Sequence, residues 1–192
     1  MATTSAREPA TKRAGASRAS RSPDAIALLK ADHKKVSDLF EQYEKSRSAT
    51  RKQTIVATIC RELTVHAMIE EEIFYPACKG RIEDDKLNEG LVEHDGAKVL
   101  IAEIEASAPD DEFYDAKVKV LSEQIAHHVE EEEKRVEGMF SQARKAGLDM
   151  DALGETMAAE KKQLTASYKS GGLPTPVTPT LKSTTVGEAP AT

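Results

Sequence analysis

Two short stretches of this chain place an imidazole and a carboxylate four residues apart: His66 and Glu70 in HAMIEEEIFYP, and His128 and Glu132 in HVEEEEKRVEG. On an α-helix, side chains at i and i+4 point in directions only about 40° apart, one turn above each other. Each pair therefore aims a nitrogen and an oxygen ligand at one spot. Two acid–histidine dipeptides, Asp32-His33 and Glu93-His94, each precede one of these pairs by about 33 residues, so the chemistry-bearing residues repeat about every 60 residues. The same stripes carry large apolar residues, which marks them as inward. A lone carboxylate in an apolar core costs several kcal/mol or takes up a proton. Four imidazoles and two carboxylates facing inward are untenable as a dry core, and a pair of cations resolves the conflict. Each carboxylate can bridge two cations while neutral imidazoles complete the shells. Imidazole with carboxylate suits iron, zinc, manganese or copper better than calcium or magnesium. The candidate metal ligands are His33, His66, Glu70, His94, His128 and Glu132.

His128 has a neighbour, His127, and the stripe separates them. His128 continues Val118, Leu121 and Ile125, whereas His127 continues Val120, Gln124 and Glu131. His128 is chosen on that periodicity. His127 stays open as a ligand, because a local helix distortion can serve its five-residue step to Glu132. Glu71, Glu72, Glu130, Glu131 and Glu133 read as solvated helix charge, some of it paired with Lys134 or Arg135. Tyr43 and Tyr75 read as core or rim residues, with lining of a metal pocket as the other reading.

Helices must position these groups, and the apolar spacing supplies them. Ser22-Pro23-Asp24 starts a helix whose inward residues Ile26, Leu29, His33, Val36, Phe40 and Tyr43 run to about Ser46. A second helix begins near Ser48, carries Ile55, Ile59, Leu63, His66, Glu70 and Ile73 on one stripe, and weakens at Pro76 and Gly80. The third runs from Asp84/Asp85 to before Pro109, with Leu87, Leu91, His94, Ile101 and Ile104 inward. The fourth follows Asp110/Asp111 and is expected to continue through Met139 to Gly147. A fifth, about Met150 to Lys169, has Leu153, Met157 and Leu164 as its apolar side and is free to pack on the bundle or to self-associate. No β-type alternation occurs. The reading is all-α: an antiparallel up-down four-helix bundle over residues 22–147, an extra helix over 148–169, a disordered basic tail over 1–21 and a disordered Pro/Thr-rich tail over 170–192.

Composition agrees with that class and removes others. Charged residues make up 31% and aromatics 4%, which favours helix over strand. A formal net charge of -6 argues against general nucleic-acid binding. No apolar run approaches the roughly 20 residues of a membrane helix, and no signal-peptide core is present. Cys60 and Cys78 form no disulfide framework and read as reduced, buried thiols of a cytoplasmic protein.

With these motifs in place, residues 24–145 resemble the hemerythrin family in its bacterial HHE (His-His-Glu) cation-binding form. The resemblance rests on the helix-borne His33, on H-x-x-x-E-E at His66 with Pro76 ten residues on, on Glu93-His94, and on H-x-x-x-E-E at His128. It implies two non-haem iron ions, with Glu70 and Glu132 bridging them beside an oxo or hydroxo group. Three positions depart from the oxygen-carrying members. Lys98 stands where they have a further His, Glu132 replaces a His-x-x-x-x-Asp pattern, and Gly138 stands in place of a Pro. The set is thus short by one imidazole unless His127 or Glu62 compensates. The functional expectation is a di-iron protein that binds dioxygen, nitric oxide or peroxide for sensing or stress protection. The rival expectations are an enzyme consuming peroxide or nitric oxide, an iron-handling protein, and a metal-free interaction bundle.

Overall fold

A computed structural model of the chain describes residues 23–182. The tail assigned to residues 1–21 and the capping role of Ser22 lie outside them. Asp24 caps the first helix, α1 (Ala25–Lys45), accepting the Ala27 N–H at 2.8 Å while Arg144 holds its carboxylate at 3.0 Å. A charge at this end also meets the positive pole of the helix. All six expected inward residues of α1 are buried.

Ser46–Ser48 turns the chain into α2 (Ala49–Ile69), capped by Ser48. At Glu70 the helix widens into one π-helical turn, Glu70–Phe74, before the short α3 (Tyr75–Cys78). Pro76 explains the widening. Its ring cannot sit over the carbonyl four residues back, and a wider turn relieves that clash. The Tyr75 N–H now bonds the Glu70 carbonyl, five residues back. The turn re-phases the residues beyond it, so that Phe74, Tyr75 and Cys78 are buried and Ile73 is only half-buried.

Gly80 adopts the left-handed conformation (φ 68°) that releases the chain into α4 (Asp84–Ala106). The loop to Phe113 leads to α5 (Tyr114–Glu133). Here the expectation of one helix to Gly147 is corrected. α5 stops at Glu133, the chain bends through residues 134–138, and α6 (Met139–Lys145) follows as a separate helix of about two turns. Gly138 is packed so tightly that a β-carbon there would lie 2.6 Å from the Glu132 carbonyl oxygen. The bend folds Met139 and Phe140 back over the end of the bundle, where both are buried. Gly147 (φ 71°) and the Asp149 cap then start α7 (Met150–Gly171).

The fold is an all-helical bundle, and no strand occurs among the described residues. α1 pairs with α2 and α4 with α5, while α7 packs on α1 and α2. The apolar core is split in two. One cluster gathers Leu29, Ile69, Phe74, Leu87, Phe140 and Met157; the other gathers Val36, Phe40, Leu63, Ile101, Val118 and Leu121. On each long helix of the pairs a histidine stands between the two. Cys60 and Cys78 are buried and free, and burial pushes each thiol up to about 12, leaving it protonated and inert. Residues 172–182, part of the tail expected to be disordered, lie along α4. Thr180 donates its N–H and its hydroxyl to Asp95 at 2.7 Å, and Lys98 reaches the Val177 carbonyl at 3.4 Å. No helix among the described residues is long and apolar enough to cross a membrane.

Candidate metal centre

All six residues singled out by spacing meet in the middle of the bundle. His33 from α1 and His66 from α2 bring their Nε2 atoms to 3.1 Å, and His94 from α4 and His128 from α5 bring theirs to 3.2 Å. Glu70 and Glu132 lie between these pairs. Glu70 Oε2 is 3.2 Å from His66 Nε2 and 3.3 Å from His94 Nε2. Glu132 Oε2 is 3.3 Å from His33 Nε2 and 3.6 Å from His128 Nε2. Each carboxylate thus touches one imidazole of each pair. Side chains of His33, His66, Glu70 and Glu132 offer ligand atoms within 4.8 Å of one another, as do Glu70, His94 and His128.

The carboxylates are buried to a degree that water cannot relieve. Glu70 is 0% exposed and Glu132 2%. Neither Glu70 oxygen, nor Glu132 Oε2, has a hydrogen-bond partner. Native proteins rarely leave buried oxygens in that condition, since each costs one to several kcal/mol. Six nitrogen and oxygen donors turned toward one another, with orphaned acid oxygens among them, fit cations at this place. Without metal, protons do part of that work. Burial resists charge on His66, but the Glu70 carboxylate and Asp32 raise it to about 10. Burial resists likewise at His94, where Glu70 and Glu71 raise it to about 9. Glu70 is held well below the usual carboxylate range, against its burial, by those two imidazoles.

Around the six lies a ring of acids that the helical stripes alone did not identify. Glu133 accepts from His33 Nδ1 at 2.8 Å, Glu71 from His94 Nδ1 at 2.9 Å, and Glu93 from His128 Nδ1 at 2.7 Å. Asp32 Oδ2 stands 3.5 Å from His66 Nδ1. At His33, His94 and His128 the carboxylate holds the Nδ1 proton and leaves the Nε2 lone pair facing inward, the arrangement that orients and strengthens a metal-binding imidazole. His66 Nδ1 and Asp32 Oδ2, by contrast, stand close without a hydrogen bond. Glu71 and Glu133, read as solvated charge, are therefore half-buried partners of the histidines. The pattern had a trace in the sequence. Each acid–histidine dipeptide sends its acid to the imidazole of the next long helix, and the residue after each inner glutamate serves a histidine across the bundle.

The remaining candidates divide clearly. His127 is 60% exposed and lies 3.7 Å from Glu93, away from the centre. Glu62 pairs with Lys35 at 2.6 Å. Lys98 takes no ligand position; it bonds Glu71 at 2.8 Å and Asp95 at 3.1 Å. Tyr43 donates to Asp115, far from the site. Tyr75 does line it, donating its hydroxyl to Glu132 Oε1 at 3.2 Å and stacking on His94 at 5.5 Å. Its place depends on Gly90, where a β-carbon would come within 2.7 Å of that hydroxyl. Beside the imidazoles is a cavity of about 30 Å³ walled by Val36, Leu63, Ala97, Ile101 and Ile125. A larger chamber of about 580 Å³, between α2, α4 and residues 173–179, shares Thr64, Lys98 and Ile101 with it.

A sequence profile described as the Hemerythrin HHE cation binding domain matches residues 24–140. The chain belongs to the hemerythrin HHE cation-binding domain family. It is accordingly a metal-binding protein, and the buried His/Glu cluster is where its residues suit a cation. A solved hemerythrin HHE cation binding domain-containing protein of Mycobacterium kansasii shares the fold, with a TM-score of 0.65 and 19% identity over 79% of this chain and 95% of that one. A protein named DNA nickase from Nostoc sp. (strain PCC 7120) is 29% identical over 106 residues, which are 55% of this chain and 30% of that protein. The chain thus spans less than a third of that relative.

Proposed function

We propose that the hemerythrin-like bundle is a cytoplasmic non-haem di-iron protein that binds a small ligand, dioxygen, nitric oxide or peroxide, for sensing or stress protection. One observation supports this most: two histidine pairs share two orphaned carboxylates beside an apolar cavity of about 30 Å³. That volume suits a molecule of two or three heavy atoms, since about 10–15 Å³ on this measure admits one water. His33, His66, Glu70, His94, His128 and Glu132 would hold the ions, with Glu70 and Glu132 shared between them. Two irons would supply one-electron redox chemistry and a place to bind the ligand.

The protein's own residues set the conditions there. Val36, Leu63, Ala97, Ile101 and Ile125 keep bulk water from the cavity and favour an uncharged ligand. Tyr75 keeps its proton, because burial and the Glu132 and Glu70 charges raise it well above the ordinary phenol value. Its Oη–H therefore stays available as a donor at Glu132 Oε1. Glu133, Glu71 and Glu93 hold the Nδ1 protons of His33, His94 and His128, so that Nε2 remains the free ligand atom there.

The test is metal analysis and optical spectroscopy of protein reconstituted with iron(II). About two irons per chain, near-ultraviolet bands in air, and their reversible loss on deoxygenation support ligand binding. Steady consumption of peroxide or nitric oxide converts the reading to an enzyme, and uptake and release of iron without ligand bands converts it to iron handling. Full-length chain that retains no metal after reconstitution overturns the proposal. The activity named for the Nostoc protein is not carried over, since the match covers 30% of its length.

A further inference from the structure

The four outer acids are not alike in what holds them. Lys30 binds Glu133 at 2.8 Å and Lys98 binds Glu71 at 2.8 Å, both lysines coming from bundle helices. Glu93 faces the exposed His127 at 3.7 Å. Asp32, the acid at His66, is instead bound by Lys161 of α7. α7 begins at Met150, beyond the residues 24–140 that match the family profile. Its lysine reaches inward for structural reasons. Gly154 has no side chain, so α7 lies directly against the start of α1; a β-carbon there would come within 2.7 Å of the Ala25 nitrogen. Lys161 follows two turns later on the same face. Two turns along α1 from Ala25, the residue that meets it is Asp32. Met157, 0% exposed, locks the register between them.

The Lys161 side chain is 23% exposed and that of Asp32 9%, so the contact is a partly buried, charge-assisted bond. It matters more at His66 than its counterparts elsewhere. Asp32 Oδ2 stands 3.5 Å from His66 Nδ1, the longest of the four imidazole–acid distances. The Asp32 side chain is short, and Lys161 is the cation that anchors its other oxygen.

We propose that α7 is a working part of the metal centre: Lys161 is a positioning residue that holds Asp32 against His66 and thereby sets the retention of the ion at the His33/His66 pair, separately from the ion at His94/His128. The inference rests on the two-ion reading of the centre and adds a C-terminal helix to it as a tuning element.

Full-length wild type, Lys161→Met and Lys161→Arg are loaded anaerobically with iron(II) alone. The ions are then extracted at pH 7 with excess bipyridine, whose red ferrous complex reports release. Loss of an acid partner behind a metal-binding imidazole costs about 10–100-fold in affinity. In Lys161→Met one ion should leave about tenfold or more faster, while the other leaves at the wild-type rate. Lys161→Arg should restore the slow release. Lys98→Met, which frees Glu71 behind His94, should accelerate the other ion, and the double variant both. Amide exchange in α7 should be unchanged in Lys161→Met. Both ions leaving Lys161→Met at the wild-type rate, or both accelerating together with loss of α7 protection, overturns the inference. Wild type that retains fewer than two ions fails the two-ion reading instead, and that result is distinct because it appears before any variant is compared.

Discussion

Glu70 shows how a buried charge in this protein is governed by its neighbours rather than by its helix. Without metal it is an anion only because His66 and His94 are cations, raised to about 10 and about 9. Metal ligation needs both imidazoles neutral. Loading at pH 7 should therefore release at least two protons per chain, measurable with an indicator dye in weak buffer, and affinity should fall as pH is lowered. The metal-free fold follows the same linkage with a definite sign. His66 is raised above its ordinary 6.5, so its contribution is complete below pH 6.5 and is lost as pH climbs toward 10. Glu70 is lowered from 4.5, so its contribution is present above pH 4.5 and is lost as pH falls through its depressed value. Urea midpoints of chelated protein should accordingly peak between those limits and decline on both sides. A midpoint still rising from pH 7 to 10 would contradict this. The choice of His128 over His127 is testable as simply. His128→Ala should remove at least one ion by metal analysis, and His127→Ala should leave the content at the wild-type value.

At the scale of elements, helix periodicity located α1, α2, α4 and α7 and the start of α5 to within a few residues, because each buries one stripe against the core. It failed at the two places where backbone geometry departs from the regular helix. Pro76 was legible as a weakening of the second helix, but not as a π-helical turn that swings Tyr75 onto Glu132. Gly138 was legible as a departure from the family, but not as the close contact that folds α6 back. Both are departures of the local backbone from regular helix, at Pro76 and in the close approach of Gly138 to the Glu132 and Lys134 backbone, which a pattern of apolar spacing does not encode. Gly90 and Tyr75 offer a direct check. Gly90→Ala should push the Tyr75 hydroxyl off Glu132 and lower stability by about 1–3 kcal/mol in urea unfolding. In a Tyr75→Phe background, where the crowding oxygen is gone, the same change should cost less. Equal costs in both backgrounds would mean that the hydroxyl is not what Gly90 accommodates.

On the scale of the whole molecule, the centre sits between two apolar clusters, and α7 closes one of them. Met157 is 0% exposed among Leu29, Ile69 and Phe140. Met157→Ala should lower stability by about 2–5 kcal/mol, the usual range for a buried methionine, read from the urea midpoint. A change below about 1 kcal/mol would show that α7 rests on the bundle without sharing its core. Tyr168 reinforces the attachment by donating to the Met68 sulfur at 2.8 Å. α7 thus reaches the centre through Lys161 and the core through Met157.

The one-dimensional order of residues was enough to bring out the helical class, the inward stripes and the six central donors, because i, i+4 spacing on a helix is a direction in space and a twofold repeat places that direction twice. It also told which of two adjacent histidines is buried, His128 rather than His127, since burial follows the stripe. The acids behind the imidazoles, the tyrosine at Glu132 and the lysine from α7 were decided by packing. Each of these contacts joins residues on different helices, and no spacing along one helix states which neighbour it will meet.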